Sequence, residues 1–501
     1  NTVTNMTSKA RGGNPLILGS ANMNGITVFV RGVNTVRGNS IINIGNTYTL
    51  PGLSTSNVNG LGLLLSQAGS VIEKNVVSGL YGSDAVTGNN AQNIVGFSTS
   101  QAATGTFSNN VISLEGSSFP SDKKVVGISE GAGTSGNMQY YYNSVNIYGT
   151  STASNNTYAF TRSSFSQTPV TLRNNVFSNV RVAATGFNIA LANEVTGANT
   201  ANGWNSAASN YNALYSLTSG TTVKWGANNY DLSGYQLLSG CDSYSLVGDP
   251  AFTSNSNLLP DGSNVNSWIE KGNGIAISTI GTDILGNPRS TTIEDGGTDI
   301  GAYEFSSTVQ PPVYNNATPS TGNYKFIHKL DTMATINVVT LGTLADINVQ
   351  YFSGENPPKL DSEPEVTNGY GNVYWYIRPT DNSNTGYTYD VTLHYSPALL
   401  GSIAGENNIK VAKDNDDSVY IPFIVPGTGP GQYTLDTAKN NITVYGLTGF
   451  SRFILTDADI PLPVELASFI SEINKRDVNL KWSTSSETNN SGFDVERKSE
   501  N

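Results

Sequence analysis

Between about Gly25 and Leu214 the chain repeats itself, and that repeat limits the fold more than any other feature. Short apolar segments open at Gly62, Gly96, Gly127, Ala159 and Ile189, at spacings of 34, 31, 32 and 30 residues. A second series, Asn75-Val76-Val77-Ser78, Asn110-Val111-Ile112-Ser113, Asn143-Ser144-Val145-Asn146 and Asn175-Val176-Phe177-Ser178, keeps step at spacings of 35, 33 and 32. Two independent features sharing one period mark a solenoid or an array.

The apolar segments are four to seven residues long, rich in Val, Ile, Phe and Tyr, and bounded by Gly, Asn, Ser and Thr. That is strand-and-turn punctuation; a helical repeat needs longer segments with 3.6-residue periodicity. Paired asparagines (Asn109-Asn110, Asn174-Asn175) sit within the strand segments. Asparagine tolerates the left-handed conformation, so it suits a sharp bend between two strands of one coil. Stacked coil on coil, such side chains can bond their amides along the stack. The expectation is a parallel β-helix; Asn-rich loops of an ordinary β-sandwich are the competing reading.

The chain has 501 residues, enough for several domains, with 52 Gly and only 13% charged residues. Low charge and abundant small polar residues fit a turn-rich all-β extracellular protein. Cys241 is the only cysteine, so no intrachain disulfide can form. No run of about 18 apolar residues exists, so no membrane span is expected. The chain begins with Asn1 and lacks a charged-then-apolar leader, which reads as a processed or truncated form. Residues 1–230 hold 11 Lys/Arg and 6 Asp/Glu, a balance of +5; residues 231–501 hold 15 and 32, a balance of −17. Nucleic acid is disfavoured as a partner, because Lys123-Lys124 is the only adjacent basic pair of the repeats.

Past Asn210-Tyr211-Asn212 the series weakens, and an open solenoid end needs a cap. Trp204, Trp225, Tyr230 and Tyr235 are the candidate cap residues; sugar platforms are their functional alternative. Next come Gly248-Asp249-Pro250-Ala251-Phe252, Leu259-Pro260-Asp261-Gly262-Ser263, Asp283-Ile284-Leu285-Gly286-Asn287-Pro288-Arg289 and Asp299-Ile300-Gly301-Ala302-Tyr303-Glu304-Phe305. This order resembles the closing segment of secreted bacterial right-handed parallel β-helix proteins. The resemblance implies a solenoid ending near Phe305 and implies no reaction.

Gln310-Pro311-Pro312 reads as a linker. From Tyr324 to Asp457 short strand-like runs alternate with turn signals, which indicates a β-sandwich. The last stretch, Leu462-Pro463-Val464-Glu465-Leu466 through Val478-Asn479-Leu480-Lys481-Trp482 to Gly492-Phe493-Asp494-Val495-Glu496-Arg497, resembles the fibronectin-III-like module that precedes the sorting domain of type IX secretion cargo in the Bacteroidetes. The resemblance implies a secreted or surface protein, with three of about seven strands present before Asn501. Asp331-Thr332-Met333, Asp417-Ser418-Val419 and Asp436-Thr437-Ala438 resemble the O-glycosylation tripeptides of such proteins. The expected organisation is an all-β chain: a right-handed parallel β-helix with its closing segment at 1–305, a β-sandwich at 311–460 and a partial fibronectin-III-like module at 461–501.

Glycoside hydrolysis needs two carboxylates about 5–9.5 Å apart. The repeats offer only Glu73, Asp84, Glu115, Asp122, Glu130 and Glu194, none paired in phase. Both histidines, His328 and His394, lie in the sandwich segment. Asp414-Asn415-Asp416-Asp417 lacks the Gly and distal Glu of a calcium loop and reads as an acidic turn. Tyr140-Tyr141-Tyr142 is expected to place two rings on one face and one on the other. No catalytic, cofactor-binding or metal-binding residue is assigned. The expected function is structural or adhesive, secreted to the cell surface, with self-association through the solenoid ends or the partial module. A polysaccharide-binding or polysaccharide-degrading protein, with glycans as ligand, is the alternative.

Overall fold

The computed structural model describes residues 1–486 apart from 9–22, 30–31, 47–57, 83–92, 117–123, 132–135, 152–154, 163–169, 184–185, 196–197, 199–202, 205–206, 218–220, 292–296, 329–330, 359–368, 416–418, 458–464 and 475–476. The chain divides into two compact units, Asn1–Pro312 and Val313–Asn501.

In the first unit each coil supplies three short strands, and each strand pairs in parallel with its equivalents one coil away. The first sheet stacks Thr2–Ser8, Ser40–Asn46, Val76–Ser78, Val111–Glu115, Ser144–Tyr148, Val176–Asn179, Ala213–Ser216 and Leu246–Val247 in that order. The second runs from Met23–Phe29 to Val223–Trp225, and the third from Thr35–Arg37 to Ser209–Asn210. This is a parallel β-helix. Its interior is built from in-register columns: Ile41, Val77, Ile112, Val145, Phe177 and Leu214 in the first sheet, and Leu61, Phe97, Ile128, Phe160, Leu191 and Val223 in the second. All are buried, each contributing about 1.5–3 kcal/mol as an upper bound. Gly60, Gly96, Gly127, Ala159 and Ala190 form a third column, of small residues, where the second sheet closes on the first. A Cβ on Gly96 would lie 2.4 Å from Ile112 Cγ2, and one on Gly127 2.3 Å from Val145 Cγ1. The structural register therefore runs through Gly60 and Ala190, two residues before Gly62 and one after Ile189.

The bend between the third and first sheets carries the asparagines, and the two members of each pair do different things. The first sits in the left-handed region: Asn109 (φ 53°) and Asn174 (φ 58°), with Gly38, Lys74, Tyr142 and Tyr211 at the equivalent sites. The second points inward and joins a buried ladder of Asn39, Asn75, Asn110, Asn143, Asn175 and Asn212. Asn143 shows the unit. Its Oδ1 accepts from the backbone N–H (3.0 Å) and Nδ2 (3.1 Å) of Asn110, while its Nδ2 donates to Asn175 Oδ1 (2.9 Å) and Phe107 O (2.9 Å).

The ladder stops at Ser245 and Asp242. Asn212 donates its backbone N–H to Ser245 Oγ (2.9 Å) and its Nδ2 to Asp242 Oδ1 (3.0 Å). Asp242 Oδ2 accepts from Tyr235 OH (3.0 Å), and Tyr235 accepts from Trp204 Nε1. Trp204, Trp225 and Tyr235 are buried at the end of the core, Trp204 meeting Trp225 edge to face and Tyr235 tilted against Trp225, with Tyr230 packed on the same core. The strand-and-turn reading has no helix here, yet Leu232–Ser239 is helical. Asp231 caps it at its start, and Gly240, in the left-handed region, ends it.

The second unit begins with two antiparallel sheets. Six strands run in the order 314–317, 346–353, 370–378, 452–456, 410–415, 419–422, and five in the order 322–328, 331–340, 388–394, 441–447, 433–436. One buried cluster, including Ile336 and Val391 from one sheet and Trp375 and Phe453 from the other, makes this a β-sandwich. Tyr314–Ala317 and Tyr433–Asp436, short edge strands, do not stand out in the sequence because they lack buried alternation. The described part of 461–501 is a hairpin of Glu465–Asn474 and Asp477–Ser486, with Phe469 opposite Trp482. The third strand expected there lies outside the described residues.

Replacing Asn143 by Ala removes the acceptor from two Asn110 donors and the donor from Phe107 O, each loss costing about 1–3 kcal/mol when buried. Denaturant unfolding of Asn143→Ala is expected to show a loss of about 3–5 kcal/mol. A loss below about 1 kcal/mol would mean that the ladder is incidental.

Candidate functional site

A catalytic flank would need acids facing solvent, so the position of each acid decides what the solenoid can do. Glu73 pairs with Arg37 in the strand below. Glu130 is fully buried inside the coil, accepting from Thr99 Oγ1 (2.8 Å) and Tyr140 OH. Arg162, its register partner one coil on, is buried and donates to Gly203 O (2.9 Å). Burial lowers the Arg162 pKa against the opposing charge of Glu130, and burial, then Glu130, raises that of Tyr140. Glu194 lies at the end of the second sheet, accepting from Tyr158 OH (2.6 Å), Thr161 Oγ1 (3.2 Å) and Lys224 Nζ (2.8 Å). Burial alone would raise its pKa; the hydrogen bonds and charge of Lys224, with Tyr158 and Lys124, outweigh that and hold it low. Glu115 is exposed at the end of a first-sheet strand, with the Tyr148 phenol near enough to feel its charge. Asp84 and Asp122 lie outside the described residues. Glu130 and Glu194 thus serve as acceptors in structural networks, one inside the coil and one bonded to three donors.

The closing segment carries the other acids, and the structure gives each a task. The described residues of 249–305 run back along the outside of the first sheet rather than adding coils, the last parallel strand pairing of the described solenoid being at Leu246–Val247. They dock on the row of left-handed turns. Lys74 Nζ donates to Thr282 Oγ1 (2.9 Å), Asn109 Nδ2 to Thr282 O (3.0 Å), Tyr142 OH to Ile275 O (2.8 Å) and Asn174 Nδ2 to Ile275 O (2.7 Å). Arg289 is the buckle. Its guanidinium lies 3.8 Å from the Tyr142 ring centroid and donates to Asn109 Oδ1 (2.6 Å), Gly301 O (2.8 Å) and Glu304 Oε1 (2.8 Å). Asp299 accepts from the N–H groups of Gly272 (2.7 Å) and Phe305 (2.9 Å), and Asp283 from those of Asn287 (2.8 Å) and Glu304 (3.0 Å). Within the closing motif Arg289 therefore ties the clasp to the solenoid, while Asp283, Asp299 and Glu304 hold the fold of the clasp itself.

Tyr140 points into the core against Phe107 and Phe160, but Tyr142 turns outward under Arg289, so the two do not share a face. The left-handed bend at Tyr142 breaks the strand alternation on which that expectation rested. His328 Nδ1 lies 2.8 Å from Tyr314 OH, and His394 Nε2 lies 3.4 Å from Thr335 Oγ1, both in the sandwich. Asp416, Asp417 and Ser418 lie outside the described residues, as does Lys123; Thr332 and Thr437 are half-buried. Among the described residues no group of three or more His, Cys, Asp or Glu side chains could hold a metal ion, and no helix is long and apolar enough to cross a membrane.

Sequence reasoning missed a recess of about 550 Å³ between the clasp and the outer face of the first sheet. Asn146, Ser178 and Tyr215 form its floor in register, and Asp249, Phe252 and Asn255 its wall. Asn146 Nδ2 donates to Asn255 O (3.2 Å), while its buried Oδ1 has no partner. Only Asp249 among these is acidic, so the recess has the donors and acceptors of a binding surface without a carboxylate pair. No protein-family model, curated protein or solved structure matches this chain.

Glu270, a residue of the clasp, has both carboxyl oxygens buried and unpartnered, and burial, then Asp299 and Asp249, pushes its pKa well up. Burial likewise raises Asp299 to about 6. Groups whose folded pKa is raised favour the folded state when protonated, so stability falls as pH rises through those values. Glu270→Gln is expected to raise the melting temperature at about pH 8, with the gain vanishing near pH 4. An equal effect at both pH values would contradict the assignment.

Proposed function

We propose that this is a non-catalytic structural or adhesive protein of the cell surface or extracellular matrix, in which the β-helix serves as a rigid column. The observation that carries the reading is the disposition of the acids. Glu73, Glu130 and Glu194 of the solenoid, and Asp283, Asp299 and Glu304 of the clasp, are each bound to structural donors. Continuous parallel pairing and a buried amide ladder favour stiffness along the column axis. Export by a type IX-like route rests on the resemblance of the C-terminal stretch, and self-association through a solenoid end or that stretch follows from the same reading. The polar recess at Asn146 and Tyr215 favours a second reading, binding of a neutral glycan along the flank.

Electron microscopy and sedimentation of concentrated protein are expected to show filaments or sheets. A strictly monomeric species would count against assembly. Incubation with uronic-acid and neutral polysaccharides is expected to release no new reducing ends; sustained release would overturn the non-catalytic reading.

A further inference from the structure

The clasp covers a column of the first sheet's outer face in which Val76, Val111, Ser144, Val176 and Ala213 stand in register. Leu258 and Ala302 of the clasp pack on Val111, and Ile300 packs on Val176 and Ala213. Its backbone docks midway along the column, where Gly301 donates its N–H to Asn174 O (2.8 Å) and Ala302 donates to Ser144 Oγ (2.9 Å). One acid lies in this contact. Glu270 is 1% exposed, and its carbonyl accepts from Ile300 N–H (3.0 Å). A Cβ placed on Gly301 would lie 2.8 Å from both Ser144 Oγ and Val176 Cγ2, and 3.5 Å from Glu270 Oε2. The Glu270 carboxyl therefore stands where the clasp meets the sheet.

A carboxyl in that position is tolerated only without its charge. Once ionised and out of water it needs donors or a cation, and neither Glu270 oxygen has a donor. The groups around it do not supply one. From the clasp, Asp299 and Asp249 act on it with charge of the same sign. The clasp's described cations are engaged elsewhere: Lys271 with Asp299 (3.4 Å), and Arg289 with Glu304, Asn109 and Gly301 O. From the sheet, its neighbours Ser144 and Val176 carry no charge.

We propose that Glu270 is a proton-controlled release for the clasp: neutral, it rests in the apolar contact, and ionised, it drives the clasp off the first sheet. Burial, then Asp299 and Asp249, raises its pKa when docked, whereas an opened clasp returns it to water and the ordinary glutamate range. Docking is thus favoured at low pH and weakens as pH rises toward the docked value. Asp299, raised to about 6, acts in the same direction over a lower range. The consequence falls on the recess, whose floor (Asn146, Ser178, Tyr215) belongs to the sheet and whose wall (Asp249, Phe252, Asn255) belongs to the clasp. Opening dismantles that recess and bares the apolar column beside it. The device requires neither self-association nor glycan binding, so its failure leaves the proposed role standing, and the reverse.

Hydrogen exchange read by mass spectrometry on the intact chain, corrected for intrinsic chemistry, tests it between about pH 6.5 and about pH 9, where Asp299 has already titrated. Residues 265–291 and 297–305 of the wild type are expected to open about tenfold more for each pH unit until the docked pKa is passed. Val111–Glu115 and Ser144–Tyr148 are expected to stay protected throughout. Glu270→Gln is expected to abolish the slope and keep the clasp closed at the upper pH; Glu270→Met, also uncharged, takes its place should the glutamine variant fail to fold. A flat wild-type profile, a slope that survives in the uncharged variants, or opening of the clasp together with the solenoid strands would each overturn the proposal.

Discussion

The solenoid depends on one row of buried amides. An asparagine side chain inside an apolar coil is costly unless its carbonyl and both its N–H donors are engaged. Here the cost is offset only because the next coil presents the same side chain at the same height. Asn75, Asn110, Asn143 and Asn175 each accept twice from the coil on one side and donate to the coil on the other. The ladder fixes the register of each coil at this bend, while coils whose asparagines lie 32 to 37 residues apart all satisfy it. It also tethers the bend whose left-handed residue, when not glycine, costs about 1–2 kcal/mol.

The same logic explains how the row ends. Ser245 and Asp242 replace the missing next asparagine, and Asp242 ties the ladder to Tyr235 of the aromatic cap. The outer side of the bend is used as well. Lys74, Asn109, Tyr142 and Asn174 bond the returning clasp, which binds together coils far apart in sequence. Glu73, Glu130 and Glu194 are likewise committed to donors of the solenoid itself. This is the physical basis of the proposed structural reading.

Much of this architecture could be read from the chain. The Asn series is locked in register from coil to coil by hydrogen bonding, so its recurrence reported the parallel stacking directly. The Gly series was less faithful, because Gly62 mimics the close-approach site that Gly60 occupies. The left-handed sites at Lys74, Tyr142 and Tyr211 were hidden, since those residue types do not advertise a positive φ. The closing motif showed where the solenoid ends but not that its Asp, Arg and Glu fold back along the flank, contacts that span up to 208 residues.

Amide hydrogen exchange of the native chain tests the ladder most directly. The backbone N–H groups of Asn75, Asn110, Asn143 and Asn175 donate to side-chain carbonyls rather than to a strand, yet the account predicts that they exchange as slowly as the flanking core strands and open with them. Exchange of these amides at loop-like rates, while Val111–Glu115 and Ser144–Tyr148 stay protected, would contradict it.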